Sequence, residues 1–176
     1  EKPIESVAVE SDLPPADVVV SFEVIEHLFF PEEFIRSAWR VLKPEGLFII
    51  TCPNAYGFDI LTLGPVSPAV DAEHLNLFNP SSLSLLLKRC GFEVLDIETP
   101  GNLDVDIVRD AALNGEFDLS PHSLLKRILI DDWERCGLPF QGFLAANNLS
   151  SHMWCVARKS SDESKESGLQ PFTRSI

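Results

Sequence analysis

Residues 16–28 read Ala16-Asp17-Val18-Val19-Val20-Ser21-Phe22-Glu23-Val24-Ile25-Glu26-His27-Leu28. From Asp17 to Val24 the run is β-branched and almost wholly apolar. That composition predicts a central parallel strand covered on both faces. Charge returns at its end, with Glu23, Glu26 and His27 within five positions. In open α/β sheets, ligands bind beyond the carboxyl ends of the strands, so these residues are the first candidates for a site.

Downstream, Pro31–Leu42 carries a helical apolar stripe, with Pro31 and two glutamates in the first turn. Lys43-Pro44-Glu45-Gly46 stops it, and Leu47–Cys52 predicts a second buried strand. Residues 55–79 read as an irregular loop. Asn79-Pro80 then opens a helix, with Asn79 as N-cap, that ends at Cys90-Gly91. Phe92–Glu98 alternates as a strand. Two helices follow, over 105–113 and 123–135, the second stopped at Cys136-Gly137. Ser151–Ala157 is a last strand. Upstream, Ser6–Glu10 is a short strand candidate broken by Asp12-Leu13-Pro14-Pro15, and residues 160–176 have a disordered tail's composition. Strands alternating with helices predict an α/β sheet, mostly parallel.

The chain has 176 residues, 45% of them hydrophobic, which suffices for one domain with a core. The net charge of -13 argues against general nucleic-acid binding and against adsorption to anionic membranes. No apolar run approaches the roughly 20 residues of a membrane span. Cys52, Cys90, Cys136 and Cys155 form no C-x-x-C pair, so free thiols in a reducing cytoplasm are expected.

Several segments together resemble the class I S-adenosylmethionine-dependent methyltransferases. Residues 16–28 resemble that family's fourth-strand segment. Pro31-Glu32-Glu33, Arg40–Gly46 and Leu47–Asn54 are similar to its next helix, turn and fifth strand. Asp71-Ala72-Glu73-His74-Leu75-Asn76-Leu77-Phe78 resembles the loop before helix five in the subgroup acting on small molecules and glycans, and Lys88–Val94 resembles the joint to strand six. The resemblance covers residues 6–100 and, more loosely, 149–159. It implies a Rossmann-like sheet of order 3-2-1-4-5-7-6 with an antiparallel last strand, of which strands 3 to 7 are present. Residues 1–159 would be a partial methyltransferase domain, with a helical insert at 102–148 near the acceptor site. The implied activity is methyl transfer to an oxygen or nitrogen of a small metabolite or sugar, by a longer parent protein. The alternative is a degenerate scaffold or binding module that has lost its cofactor.

The departure from the family lies at the amino end. Its first strand, its G-x-G-x-G turn and the acid that holds the ribose are expected upstream of Ser6. Without strands one and two, a gap of about 10 Å separates residues 6–10 from strand 17–24, and Asp17–Val24 becomes a bare apolar edge. A longer amino terminus, a partner chain or a second copy is expected to cover it.

The resemblance also assigns candidate residues. Phe22, Glu23 and Glu26 would face the methionine part of S-adenosylmethionine. Asp12 would accept from the adenine amino group, with Glu10 its rival and a plain turn the simpler role. His27 is the candidate base or acceptor-orienting group, since imidazole titrates near neutrality, or else a histidine satisfied by backbone at a helix start. Asn54 and His74 are candidates to meet the acceptor; their plainer roles are a turn residue and a loop anchor. Asp71, Glu73 and His74 within one loop are a poor ligand set, and no metal is expected. His122 and His152 read as structural or exposed.

Overall fold

The computed structural model describes Ile4 and residues 14–161. The expected strand at Ser6–Glu10, Asp12, Glu10 and nearly all of the expected tail lie outside these residues. Four strands form one sheet: β1 (Ala16–Phe22), β2 (Leu42–Pro53), β3 (Phe92–Glu98) and β4 (His152–Lys159). Their spatial order is β1-β2-β4-β3. β1 and β2 run parallel, while β4 is antiparallel to both β2 and β3. This is the 4-5-7-6 half of the expected order, with the antiparallel last strand in place.

Alternation along the strands puts Phe48, Ile50 and Cys52 of β2 and Met153, Cys155 and Ala157 of β4 on one face. Helices α1 (Pro31–Val41) and α3 (Pro80–Arg89) cover that face with Ile35, Ala38, Leu83 and Leu87. α3 begins with a reciprocal cap: the Asn79 side chain accepts from Ser82 N at 2.9 Å, and Ser82 Oγ accepts from Asn79 N at 2.9 Å. Asn79→Ala leaves the Ser82 N–H without its side-chain acceptor, so a loss of about 1 kcal/mol in denaturant unfolding is expected. At the other end Gly91 takes φ 92°, a left-handed turn that glycine adopts without strain.

The opposite face is less covered than the sequence predicts. Val18, Val20 and Phe22 are 47%, 55% and 55% exposed. β1 is the sheet's edge, and no described helix packs on that side of it. The expectation that Asp17–Val24 is covered on both faces therefore holds for one face only.

Two further differences concern the helices. The expected loop 55–79 contains a helix, α2 (Phe58–Leu63), followed by a 3-10 turn at Gly64–Val66. Its Leu63 joins a second core with Val105 and Val108 of α4 (Asp104–Leu113), Leu129, and Leu144 of α6 (Trp133–Ala146). The expected 123–135 helix is instead α5 (Ser123–Lys126), then a π-helical turn at Arg127–Asp131, then α6. α6 runs on through Gly137 and Pro139. Gly137 is no stop: a Cβ there would lie 2.7 Å from the Trp133 ring, so the residue is a notch for that indole.

A buried polar network joins this second core to the start of β4. Gln141 Nε2 donates to Gly101 O at 2.8 Å and to Asp104 Oδ2 at 2.5 Å, and its Oε1 accepts from Val105 N at 3.1 Å. Asp59 on α2 accepts from Ser67 Oγ at 2.8 Å and from Ser151 Oγ. Burial pushes the Asp59 carboxyl above the usual carboxylate range.

All four cysteines are free thiols. Burial pushes Cys90 up to about 11 and Cys155 to about 12, and Cys52 further still. Cys136 is only partly buried. Since the thiolate is the reactive form, a thiol reagent on folded protein is expected to modify Cys136 first and the other three only after unfolding. Peptide mass analysis of a time course checks this.

Candidate active site

The site forms where β1 ends. Glu23 turns the chain at φ 51°, an uncommon value for a residue with a Cβ. Two bonds to β2 hold the turn: Glu23 N donates to Thr51 O at 3.1 Å, and Thr51 Oγ1 donates to Glu23 Oε1 at 2.7 Å. His152, at the start of β4, places Nε2 3.6 Å from the same oxygen. A single 3-10 turn follows, Ile25–His27. Ile25 is fully buried and plugs the main core. Glu26 is fully buried too, while His27 stays partly open.

A loop distant in sequence closes over this turn. Asp71 Oδ1 accepts from the backbone N–H groups of Glu73 at 2.7 Å and His74 at 3.0 Å, which shapes the loop. The same two bonds hold the Asp71 carboxyl below the usual range. Asn76 N donates to Glu26 O at 2.9 Å, and Asn76 Nδ2 donates to Leu28 O at 2.7 Å. His27 Nδ1 bonds Glu73 O at 3.0 Å, and His74 Nδ1 bonds Ala69 O at 3.0 Å. A carbonyl only accepts, so each Nδ1 carries the proton and each Nε2 keeps its lone pair in the neutral ring. The two imidazoles lie 4.8 Å apart between centroids.

Glu26 is the electrostatic anomaly. Neither carboxylate oxygen has a hydrogen-bond partner. His27 Nε2 is 4.0 Å from Glu26 Oε1, beyond hydrogen-bond range. Desolvation pushes its carboxyl up, and the nearby Glu23 charge adds to that.

The structure brings Glu23, Glu26, His27 and His74 together, with Phe22 exposed at the strand end beside them. Asn54 behaves differently. It is fully buried, donating to Ser150 O at 2.8 Å and Asn148 O at 3.3 Å and accepting from Tyr56 N at 3.1 Å. With these groups engaged, it ties β2 to the approach to β4 and does not face an acceptor. Its plainer role, a turn residue, describes it better. Thr51, Asn76 and His152 also meet at this turn and loop, and His152, read as structural or exposed, is exposed beside Glu23. Asn76 lies in the loop motif already singled out, whereas the pairing of Thr51 and His152 with Glu23 is a product of strand register.

The profile of a family described as "Methyltransferase domain" matches residues 4–97. A protein of Mycolicibacterium smegmatis named a "Probable S-adenosylmethionine-dependent methyltransferase" is 40% identical over 89 residues, covering 49% of this chain and 33% of that protein. A ubiquinone biosynthesis O-methyltransferase of Ruegeria pomeroyi is 32% identical over 87 residues, covering 46% of this chain and 35% of that protein. The matches thus span about a third of the length of these relatives. In fold, the chain resembles a SAM-dependent methyltransferase from Archaeoglobus fulgidus, with a TM-score of 0.52 at 19% identity over 90% of this chain and 66% of the other. No described helix is long and apolar enough to cross a membrane. With the family profile matching more than half of its length, the chain belongs to the methyltransferase domain family.

Proposed function

We propose that this chain is part of an enzyme that transfers a methyl group from S-adenosylmethionine to an oxygen or nitrogen of a small metabolite or sugar, in the cytoplasm. The observation that carries the reading is the joined turn and loop at the end of β1, which bring the imidazoles of His27 and His74 to the buried Glu26 carboxylate. The residues present fit one wall of the cofactor's site. Phe22 offers an exposed ring, and Glu23 supplies a carboxylate toward a group that carries sulfonium and ammonium charges, with the Glu26 carboxyl buried behind them. The cofactor supplies an electrophilic methyl group when bound.

The chain's own residues then position the acceptor and manage its proton. His27 holds an acceptor hydroxyl or amine at Nε2 and takes its proton, while Glu73 O fixes the ring's tautomer. His74 fixes the acceptor from the loop side. The helical region 102–148, which packs on α2, is the part we assign to shaping the acceptor's approach. The name of the Ruegeria relative, an O-methyltransferase, favours oxygen as the methylated atom. Calorimetric titration of the full-length protein with S-adenosylhomocysteine tests the reading. Saturable heat at one site per chain is expected, and no heat from folded protein would overturn it.

A further inference from the structure

We propose that Glu26, His27 and His74 form a binding site for a divalent transition-metal ion at the end of β1. One carboxylate oxygen and two imidazole nitrogens, one from each residue, lie within 4.8 Å of one another. Tetrahedral ligation with bonds of about 2.1 Å needs ligand atoms roughly 3.4 Å apart, so closure takes side-chain movement on the order of 1 Å.

Three independent features point to a cation. First, Glu26 is fully buried with both oxygens unpartnered, a costly state that an opposing charge relieves. Second, each histidine donates Nδ1–H to a backbone carbonyl, Glu73 O for His27 and Ala69 O for His74. That arrangement is the usual outer support of a metal-bound imidazole, because it fixes the ring and leaves the Nε2 lone pair free. Third, neither Nε2 has a hydrogen-bond partner among the described residues, and no ion pair of bonding length joins His27 to Glu26.

Two imidazoles and one carboxylate suit Zn2+, Co2+ or Mn2+ better than Mg2+, which prefers oxygen ligands. Three protein ligands leave a position open to water or to an acceptor oxygen. The role of the ion rests on the function proposed above; binding of the ion does not. In that role the ion replaces His27 as the group that activates the acceptor: it acidifies an acceptor hydroxyl, whose proton passes to solvent, and His27 serves as a ligand and not as the base. The acceptor's O–C bond then forms as the donor's S–C bond breaks, and the sulfonium leaves as a neutral thioether.

The test is titration of the full-length, chelator-treated protein with Co2+, followed by visible absorption. One ion per chain is expected, with d–d bands of nitrogen and oxygen ligation and no thiolate charge-transfer band. His27→Ala and His74→Ala should each weaken binding by at least about tenfold. Glu26→Met should abolish binding and raise the thermal midpoint of the metal-free protein, since an apolar isostere replaces an unpartnered carboxylate. Absence of one-to-one binding, or binding that all three variants retain, would overturn the site. S-adenosylhomocysteine binding without Co2+ binding would sink the metal site and leave the proposed function standing. Co2+ binding without S-adenosylhomocysteine binding would do the reverse.

Discussion

Phe48→Ala is expected to destabilise the protein by about 3–5 kcal/mol, read as a shift in the denaturant midpoint with little change in slope. Phe48 is fully buried at the centre of β2. Its ring meets Phe92 at 5.4 Å and Phe34 at 6.2 Å between centroids, so it links β3, β2 and α1. Its register partners are Val19 of β1 and Ala157 of β4. Alanine would leave a hole bordered by three secondary-structure elements, and strands hydrogen-bonded on both sides cannot collapse into it. Phe48→Leu, which keeps most of the volume, should cost less than half as much. Equal losses for the two variants would mean that the ring contacts contribute little.

His27→Ala is expected to lower the methyl-transfer rate of the full-length enzyme roughly 10²–10⁴-fold. The side chain is 38% exposed and bonds one carbonyl, so its removal should leave the fold and S-adenosylhomocysteine affinity nearly intact. The loss should therefore fall on kcat. His122→Ala is the control: that exposed ring stacks on Phe117, away from the cluster, and its loss should leave the rate unchanged. A His27→Ala rate within about threefold of the unaltered enzyme would remove His27 from the chemistry.

The elements that sequence reading places well are those with local punctuation. Asn79-Pro80 and Cys90-Gly91 bracket α3 because caps and left-handed turns are decided within a few residues. Pro31 and two glutamates mark α1 for the same reason. Gly137 misleads because its purpose is tertiary: it makes room for the Trp133 ring inside a helix that continues to Ala146. α2 is hidden in the 55–79 segment because its helical character depends on packing against α4 more than on its own short pattern. Asn54 reads as a turn residue or an acceptor contact, since its partners Asn148 and Ser150 lie more than 90 positions away.

The site divides along the same line. The Glu26-His27 pair is visible in sequence as charge arriving at the end of an apolar strand. His74 is visible as part of a loop motif. Their meeting is not, because 47 positions separate His27 from His74 and only the bonds of Glu73 O and Asn76 bring them together. Judged within its own loop, His74 has only Asp71 and Glu73 as company, and that set argues against a metal. Across the fold its neighbour is instead a buried, unpartnered carboxylate.

The stitching of loop to turn also bears on the timing of motion. Asn76 reaches the backbone of Glu26 and Leu28, and His27 reaches back to Glu73, so bonds run in both directions across the junction. Such a junction opens as a unit. The amide proton of Asn76, which donates across the junction to Glu26 O, should therefore exchange with solvent only when the junction opens as a whole. Entry and exit at this pocket would then follow one clock, set by the junction as a whole.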